Sequence, residues 1–371
     1  MGRIVVLGGY GAFGAHAAER LARDPATEIV VAGRSLAKAR AQVAKLIAGG
    51  ARASLEPAEL DAMRATGERL RALGAEIVIN ASGPFQTQDY SLARAAIAAG
   101  CHYIDLADAR AFVCGISVLD DEARAAGVRV ISGASSVPGL SSAVVRYIGD
   151  GLALDEVHIG ISPGNSFDPG VATVASIVSA VGKPFTRRVD GRVSIAHGWQ
   201  GLHRHRFPEI GVRWMGDVDV PDLELIPAHY PQLSTVRFTA GLEVGLFHLG
   251  LWCLSWLGRA GVLGSGDVLA KPLLAAKRSL SFLGSDSGGM FVRVAGRDSE
   301  GKRRERVWNL IARGGHGPYV PAIASVVLAK KLLAGSGPPA GAMPCFQLFN
   351  PADFEAEVRD LDIRCFVCRE G

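Results

Sequence analysis

Apolar residues fall along this chain in two different rhythms. Up to Ser132, short apolar runs alternate with segments whose apolar positions recur every three or four residues. Arg3–Leu7, Glu28–Ala32, Ala51–Leu55, Glu76–Asn80, His102–Leu106 and Val128–Ser132 read as strands. Most are rich in β-branched residues with no polar alternation, as expected of parallel strands covered on both faces. Between them, His16–Arg23, Leu36–Ile47, Asp61–Leu73, Gln88–Ala99 and the stretch Leu119–Ala126 carry helical spacing, and Gly100 stops the fourth. This βαβα alternation predicts an α/β fold built on a doubly wound parallel sheet.

From Leu140 the rhythm changes. Glu156–Ile161, Val189–Ile195, Thr235–Thr239, Met290–Val294 and Arg304–Ala312 read as strands, alternating in places. Helices near Gly170–Val181, Leu246–Leu263 and Val268–Phe282 interrupt them. Strand-rich runs beside a few helices predict an antiparallel sheet with helices on one face, an inserted α+β domain. Gly314–Tyr319 is a glycine-rich joint, and a helix over Val320–Ala334 follows it. The expected organisation is a dinucleotide-binding domain over 1–138, the α+β domain over 139–317, and a segment 318–371 that returns to the first domain.

The first strand runs into Gly9, Gly11 and Gly14, spaced G-x-G-x-x-G, with a helix directly behind. In a strand–turn–helix setting the first glycine permits a tight turn, and the second lets a pyrophosphate approach the backbone. The third allows close helix packing, and the helix N-terminus faces the phosphates. Gly9, Tyr10, Gly11, Ala12, Phe13 and Gly14 are therefore candidate cofactor contacts in a Rossmann domain. Folds specific for NAD place an acid at the end of the second strand, whereas this chain has Gly33, Arg34 and Ser35. An arginine there suits a 2′-phosphate and a serine adds a hydrogen bond, so the expected cofactor is NADP(H). Glu28 has nearly the right spacing but stands at the wrong end of its strand. Ligands bind at the carboxyl ends of such strands, so Asn80–Phe85, Asp105–Asp108 and Gly133–Pro138 should rim the cleft. Ala81, Ser82, Gly83, Pro84, Ser135 and Val137 complete the candidate cofactor contacts.

Composition narrows the rest. The chain has 371 residues, 49% hydrophobic and 20% charged, with a net charge of +4, which describes an apolar globular protein of two domains. It has no dense Lys/Arg block, so nucleic acid is not an expected partner. Cys365 and Cys368 form a lone C-x-x-C without a second pair, and His203 with His205 has no third ligand in view, so no metal is expected. No signal-peptide pattern precedes the first strand, and the scattered cysteines read as reduced thiols, which together point to the cytoplasm. Leu246–Leu263 approaches spanning length but contains His248, Arg259 and glycines. It reads as a helix buried in the protein or in a subunit interface, with a membrane-surface contact as the minor alternative.

These landmarks resemble one family. Gly9–Gly14, Ala32–Ser35, Asn80–Phe85, Tyr103–Leu106, Ser136–Gly139 and the late Gly-His-Gly-Pro-Tyr-Val-Pro run are similar to the saccharopine dehydrogenase-like NADP-binding oxidoreductases. The likeness covers the N-terminal part well and the C-terminal part moderately. It implies a Rossmann domain, an inserted domain for substrate binding and homodimer formation, and NADP-dependent hydride transfer. Lysine-pathway saccharopine reductases carry an Asp-Pro-Gly-Ile-Asp-His-like run after the sixth strand. Here that place reads Ser136-Val137-Pro138-Gly139-Leu140-Ser141-Ser142, which leaves other imines, carbonyls or enoyl groups open as small-molecule substrates. Hydride chemistry on such a cofactor asks the protein for positioning and one proton-transfer group. His316 and Tyr319 are the candidates, with Asp105 orienting the substrate or that group. A strand-end aspartate equally often bonds nearby backbone. Arg204, Arg206, Arg213 and Arg237 could receive a substrate carboxylate, although most such arginines are solvated. A non-catalytic NADP(H)-binding regulator is the competing reading.

Overall fold

The structure, a computed structural model, describes residues 2–262 and 266–370. It divides into two compact units, Met1–Leu140 with Pro318–Phe349 and Ser141–Gly317 with Asn350–Gly371. Strands are numbered along the chain. The first unit holds β1 (Gly2–Leu7), β2 (Thr27–Gly33), β3 (Ser54–Glu59), β4 (Ile77–Asn80), β5 (His102–Asp105) and β6 (Arg129–Ser132). They lie in the order β3-β2-β1-β4-β5-β6, all parallel, and Gly341–Pro344 adds a seventh parallel strand beside β6. This is the doubly wound α/β sheet that the first rhythm predicts. Ile4, Val5, Val6, Val30, Val31, Ile77, Val78 and Ile79 have no exposed surface, which is why their runs show no alternation.

Two elements of this unit differ from expectation. β3 lies over Ser54–Glu59 rather than Ala51–Leu55 and contains Pro57. A proline costs little there because β3 is the edge strand and needs no second ladder. The helix expected over Asp61–Leu73 is split. Asp61 caps a 3₁₀ turn, Ala62–Arg64, by accepting from the Met63 N–H at 3.1 Å. Thr66 then caps a new helix, Gly67–Ala72, by accepting from the Arg69 N–H at 3.3 Å. Local side-chain acceptors compete with the helix at both points.

The second unit opens with a helix, Ser141–Gly149, which the sequence reading did not assign. Its strands are β7 (Ala153–Ser162), β8 (Pro184–Val189), β9 (Arg192–His197), β10 (His203–Phe207), β11 (Gly211–Asp217), β12 (Thr235–Leu242), β13 (Gly288–Arg297) and β14 (Arg303–Ala312). The main sheet runs β10-β11-β12-β7-β13-β14, and Ile363–Glu370 pairs with β14 as its seventh strand. The expectation that the whole tail returns to the first domain is thereby corrected. Pro318–Phe349 belongs to the first unit, and the last strand gains a full ladder of hydrogen bonds in the second. The expected antiparallel sheet is also corrected to a mixed one, because β12 and β7 are parallel. Val189–Ile195 is not one strand but the end of β8, a two-residue turn and the start of β9. Asp190 (φ 50°) and Gly191 (φ 74°) both adopt the left-handed conformation that an Asp-Gly hairpin turn requires.

The main sheet curls. His205 on β10 stacks on Phe291 on β13 at 3.8 Å between ring centroids, although three strands separate them in the sheet. Phe207, Met215, Phe291 and Ile311 fill the space enclosed. The helix Gly245–Arg259 fully buries only His248 and Ser255. Leu246, Trp256 and Leu257 are 70%, 50% and 48% exposed, so internal burial of this apolar helix is not what the chain achieves. Leu263, the end of the apolar stretch, lies outside the described residues. No helix among the described residues is long and apolar enough to cross a membrane.

Phe291 is 1% exposed and sits where the curled strands meet. Phe291→Ala is expected to remove about 3–5 kcal/mol of stability. Urea denaturation should show a lower midpoint with an unchanged slope. A midpoint equal to wild type would contradict this account of the core.

Candidate dinucleotide site

β1 ends at Leu7 and the chain turns at Gly8, whose φ of +74° excludes most side chains. The N–H groups of Gly8 and Gly9 both donate to the Ala32 carbonyl, at 2.9 and 3.2 Å, tying the turn to the end of β2. The Gly11 N–H closes the turn on the Gly8 carbonyl at 2.8 Å. A Cβ on Gly9 would stand 2.8 Å from the Val6 carbonyl oxygen, and one on Gly14 would stand 2.3 Å from that of Gly8. At Gly11 the only atom such a Cβ would approach within 4 Å is the Gly8 carbonyl oxygen, so that side of the loop can take a ligand. The helix Gly14–Leu21 has no acidic residue in its first turn, which leaves its dipole uncompensated where a phosphate would sit.

At the end of β2 the Tyr10 ring covers Gly33, where any Cβ would meet the phenol oxygen at 2.5 Å. The Ser35 N–H donates to that oxygen at 3.0 Å, so Tyr10 holds the Gly33–Ser35 turn. The Ser35 hydroxyl oxygen caps the helix Leu36–Ala48 through the Lys38 N–H at 3.4 Å and keeps its own proton to donate. Arg34 is exposed and makes no hydrogen bond or ion pair with the described residues. Glu28, at the opposite end of β2, is held by Arg3 at 2.8 Å. An unengaged guanidinium, a hydroxyl and no strand-end acid fit a ribose 2′-phosphate.

The loop after β4 is fixed from behind. Asn80 is fully buried; its amide donates to the Tyr103 hydroxyl at 3.1 Å and to Gln88 at 3.3 Å. Its oxygen accepts from the N–H of Ser82 at 3.1 Å, and Gln88 donates to the Ser82 carbonyl. Ala81, Ser82 and Pro84 stay half-buried and Gly83 is exposed. Gln88 escaped the sequence reading because it falls at the start of a helical pattern and offers no spacing signal of its own. Ser135 and Val137, after β6, are buried at 8% and 6%.

Asp105 ends β5 with no exposed surface. One oxygen accepts from the N–H groups of Ala107 and Gly133, at 3.0 and 2.8 Å, and from the Ser132 hydroxyl at 3.0 Å. It therefore joins the ends of β5 and β6. Burial pushes its pKa up to about 6, against those three hydrogen bonds, which oppose the rise. Tyr319 donates its hydroxyl to Glu19, whose oxygens lie 2.9 and 2.8 Å away, and its ring meets His16 at 4.0 Å. Burial, then the Glu19 hydrogen bond, push the phenol up to about 12. Glu19 is held below its ordinary value, chiefly by its hydrogen bond with His16. The i, i+3 spacing of His16 and Glu19 was the available signal for this cluster. His316 belongs to the second unit, where its Nδ1 accepts from the Asp362 N–H at 2.9 Å. Among the described residues no group of three or more His, Cys, Asp or Glu could hold a metal ion.

Arg34→Ala is expected to weaken NADPH binding about ten- to a hundredfold and leave NADH nearly unchanged, since one charge-assisted contact is lost. Calorimetric titration with both cofactors checks this, and equal wild-type affinity for the two would refute it. Asp105 carries a folded-state pKa above its ordinary 3.8. Between about pH 4 and 6 the unfolded chain has lost that proton while the folded chain keeps it, so stability falls as pH rises through the window. The span is about 3 kcal/mol at most. Asp105→Asn should flatten the fall, measured as the difference between the two proteins' melting temperatures across that range.

Residues 4–131 match the family described as saccharopine dehydrogenase NADP binding domain. No curated protein sequence matches the chain. Among solved structures it is similar to the saccharopine dehydrogenase (L-Glu forming) of Saccharomyces cerevisiae. That match has a TM-score of 0.68 at 14% identity and covers 99% of this chain and 100% of the yeast one. It is also similar to the amine dehydrogenase of Mycobacterium smegmatis, with a TM-score of 0.51 at 12% identity, covering 94% and 96% of the two chains. At such identities the likeness is one of fold. Residues 4–131 thus match the saccharopine dehydrogenase NADP binding domain, in a chain whose fold is similar to that of saccharopine dehydrogenase over 99% of its length.

Proposed function

We propose that the protein is an NADP-dependent oxidoreductase that moves hydride to or from a C–N or C=O group of a small polar substrate. The observation that carries this reading is the unengaged Arg34 beside the open glycine turn, at strand ends rimmed by Ser82 and Gly83. The amine dehydrogenase that shares the fold favours a C–N substrate, an imine or secondary amine. When bound, the nicotinamide supplies the hydride or accepts it. The chain's own part is to position and to move one proton. We assign that proton to His316, because its Nδ1 accepts from a backbone N–H and a neutral ring then carries its proton on Nε2. Tyr319 is the weaker candidate, since its proton is directed at Glu19 and that carboxylate opposes its loss. Asp105 acts as a positioning residue for the β5 and β6 ends. A cytoplasmic setting suits the six free cysteines.

A positioned acid or base contributes about 10²–10⁴-fold in rate. NADPH absorbance followed against 2-oxo acids paired with amino acids or polyamines should identify a substrate. On it, His316→Asn is expected to lower kcat by that factor with cofactor affinity intact. Full kcat in His316→Asn would end the assignment to His316, and Tyr319→Phe would then test the other candidate. Tight NADPH binding with no turnover anywhere in the panel would favour a cofactor-binding regulator instead.

We further propose a homodimer formed through the second unit, motivated by the exposed Leu246, Trp256 and Leu257. Light scattering at micromolar concentration should give twice 38.9 kDa. A monomer there, with liposome flotation, would point to a membrane surface as the occupant of that face.

A further inference from the structure

The second unit contains a cavity of about 270 Å³ that shares no residue with the nucleotide loops. Its walls come from four strands. Arg237 on β12, His158 on β7 and Arg293 on β13 are register partners, so they form one row across three adjacent strands. Arg187 reaches the same cavity from β8, and Glu156 and Thr235 form the next row.

The charges on these walls do not balance. Arg187 and Arg237 lean on the same oxygen of buried Asp217, at 2.6 and 2.8 Å, so two guanidiniums share one carboxylate. The Nε of Arg187 is buried and has no acceptor. Arg293 touches Glu305 at 3.4 Å and Glu156 at only 4.0 Å, while Glu156 is taken by Arg303 at 2.8 Å. Of the residues that line the cavity, Arg187, Arg237 and Arg293 are guanidiniums and Glu156 is a carboxylate. His158 adds no charge, because burial and then the neighbouring Arg237 and Arg293 hold its pKa well below the ordinary value. Its Nε2 is occupied with the Thr239 hydroxyl at 3.1 Å. An arginine does not lose its proton, so the surplus cannot be relieved by titration.

We propose that this cavity is a binding site for a small oxyanion, a carboxylate or a phosphate, seated between Arg187 and Arg293. A planar guanidinium pairs such oxygens two at a time. The volume limits the ligand to a small molecule, well short of a dinucleotide. The site is independent of the reading of the nucleotide domain as an oxidoreductase.

The test titrates the whole protein, saturated with NADP so that phosphate cannot be read at the nucleotide turn. Succinate and inorganic phosphate serve as separate probes at constant ionic strength against chloride, followed by calorimetry. Saturable binding of either probe is expected, and whichever binds names the class. Arg187→Gln and Arg293→Gln should each weaken it about tenfold or more, the loss of one charge-assisted pair, with NADP affinity unchanged. Should Arg187→Gln fail to fold, Arg293→Gln carries the test, since its side chain is 39% exposed and supports less of the fold. Binding of neither probe, or binding that the folded variants retain in full, overturns the proposal.

Discussion

In the first unit the helix Gly14–Leu21 comes up against the turn at Gly8 with no room for a side chain between them. A methyl group on Gly14 would overlap the Gly8 carbonyl oxygen and touch the Ala81 methyl. Everything that makes this unit a nucleotide site follows from that contact. It brings the helix N-terminus up to the ends of β1 and β4, which sets the phosphate end of the site. Gly33 repeats the device on a second boundary, where Tyr10 occupies the space a side chain would need and fixes the turn that carries Arg34. Position is therefore set by backbone proximity, and side chains such as Arg34 are left free to bind.

Much of this was legible in the sequence because parallel strands and glycine turns write themselves locally. Runs such as Ile4–Leu7 and Ile77–Ile79 announce burial on both faces, and Gly9, Gly11 and Gly14 announce the turn behind them. The second unit was harder to read for a physical reason. Its sheet curls, so β10 meets β13 through His205 and Phe291; Met290–Val294 is legible as a strand, whereas the charged run of β10 is not. The Asp190-Gly191 turn was a missed local signal, since that dipeptide argues for a hairpin and against a continuous strand. Asp105 was placed correctly at the strand end. Its environment, an oxygen saturated with donors from β6, depends on a neighbour distant in sequence.

The two units use charge in opposite ways. In the first, Glu28 stands at the far end of β2 and is engaged there by Arg3, while Arg34 at the near end makes no hydrogen bond or ion pair with the described residues. In the second, carboxylates such as Asp217 and Glu243 are drawn inside to serve arginines. Glu243 accepts from Arg213 at 3.0 Å, from Ser285 and from the Asn165 N–H at 2.7 Å, and these donors hold its charge in place. A buried carboxylate so supplied is costly to disturb, because removing one donor leaves a charge without solvent.

The division of the last residues between the units bears on how the chain is made. Ile363–Glu370, which covers the edge of β14, is synthesised only after Pro318–Phe349, and that stretch completes the other unit. The nucleotide unit likewise waits for Gly341–Pro344 to cover β6. During translation both sheets thus stand for a time with an open edge, and an open edge is a template for the wrong partner. Neither sheet is complete before its own last strand, Gly341–Pro344 or Ile363–Glu370, has been made. Truncation ahead of Gly341 would accordingly leave two incomplete folds rather than one.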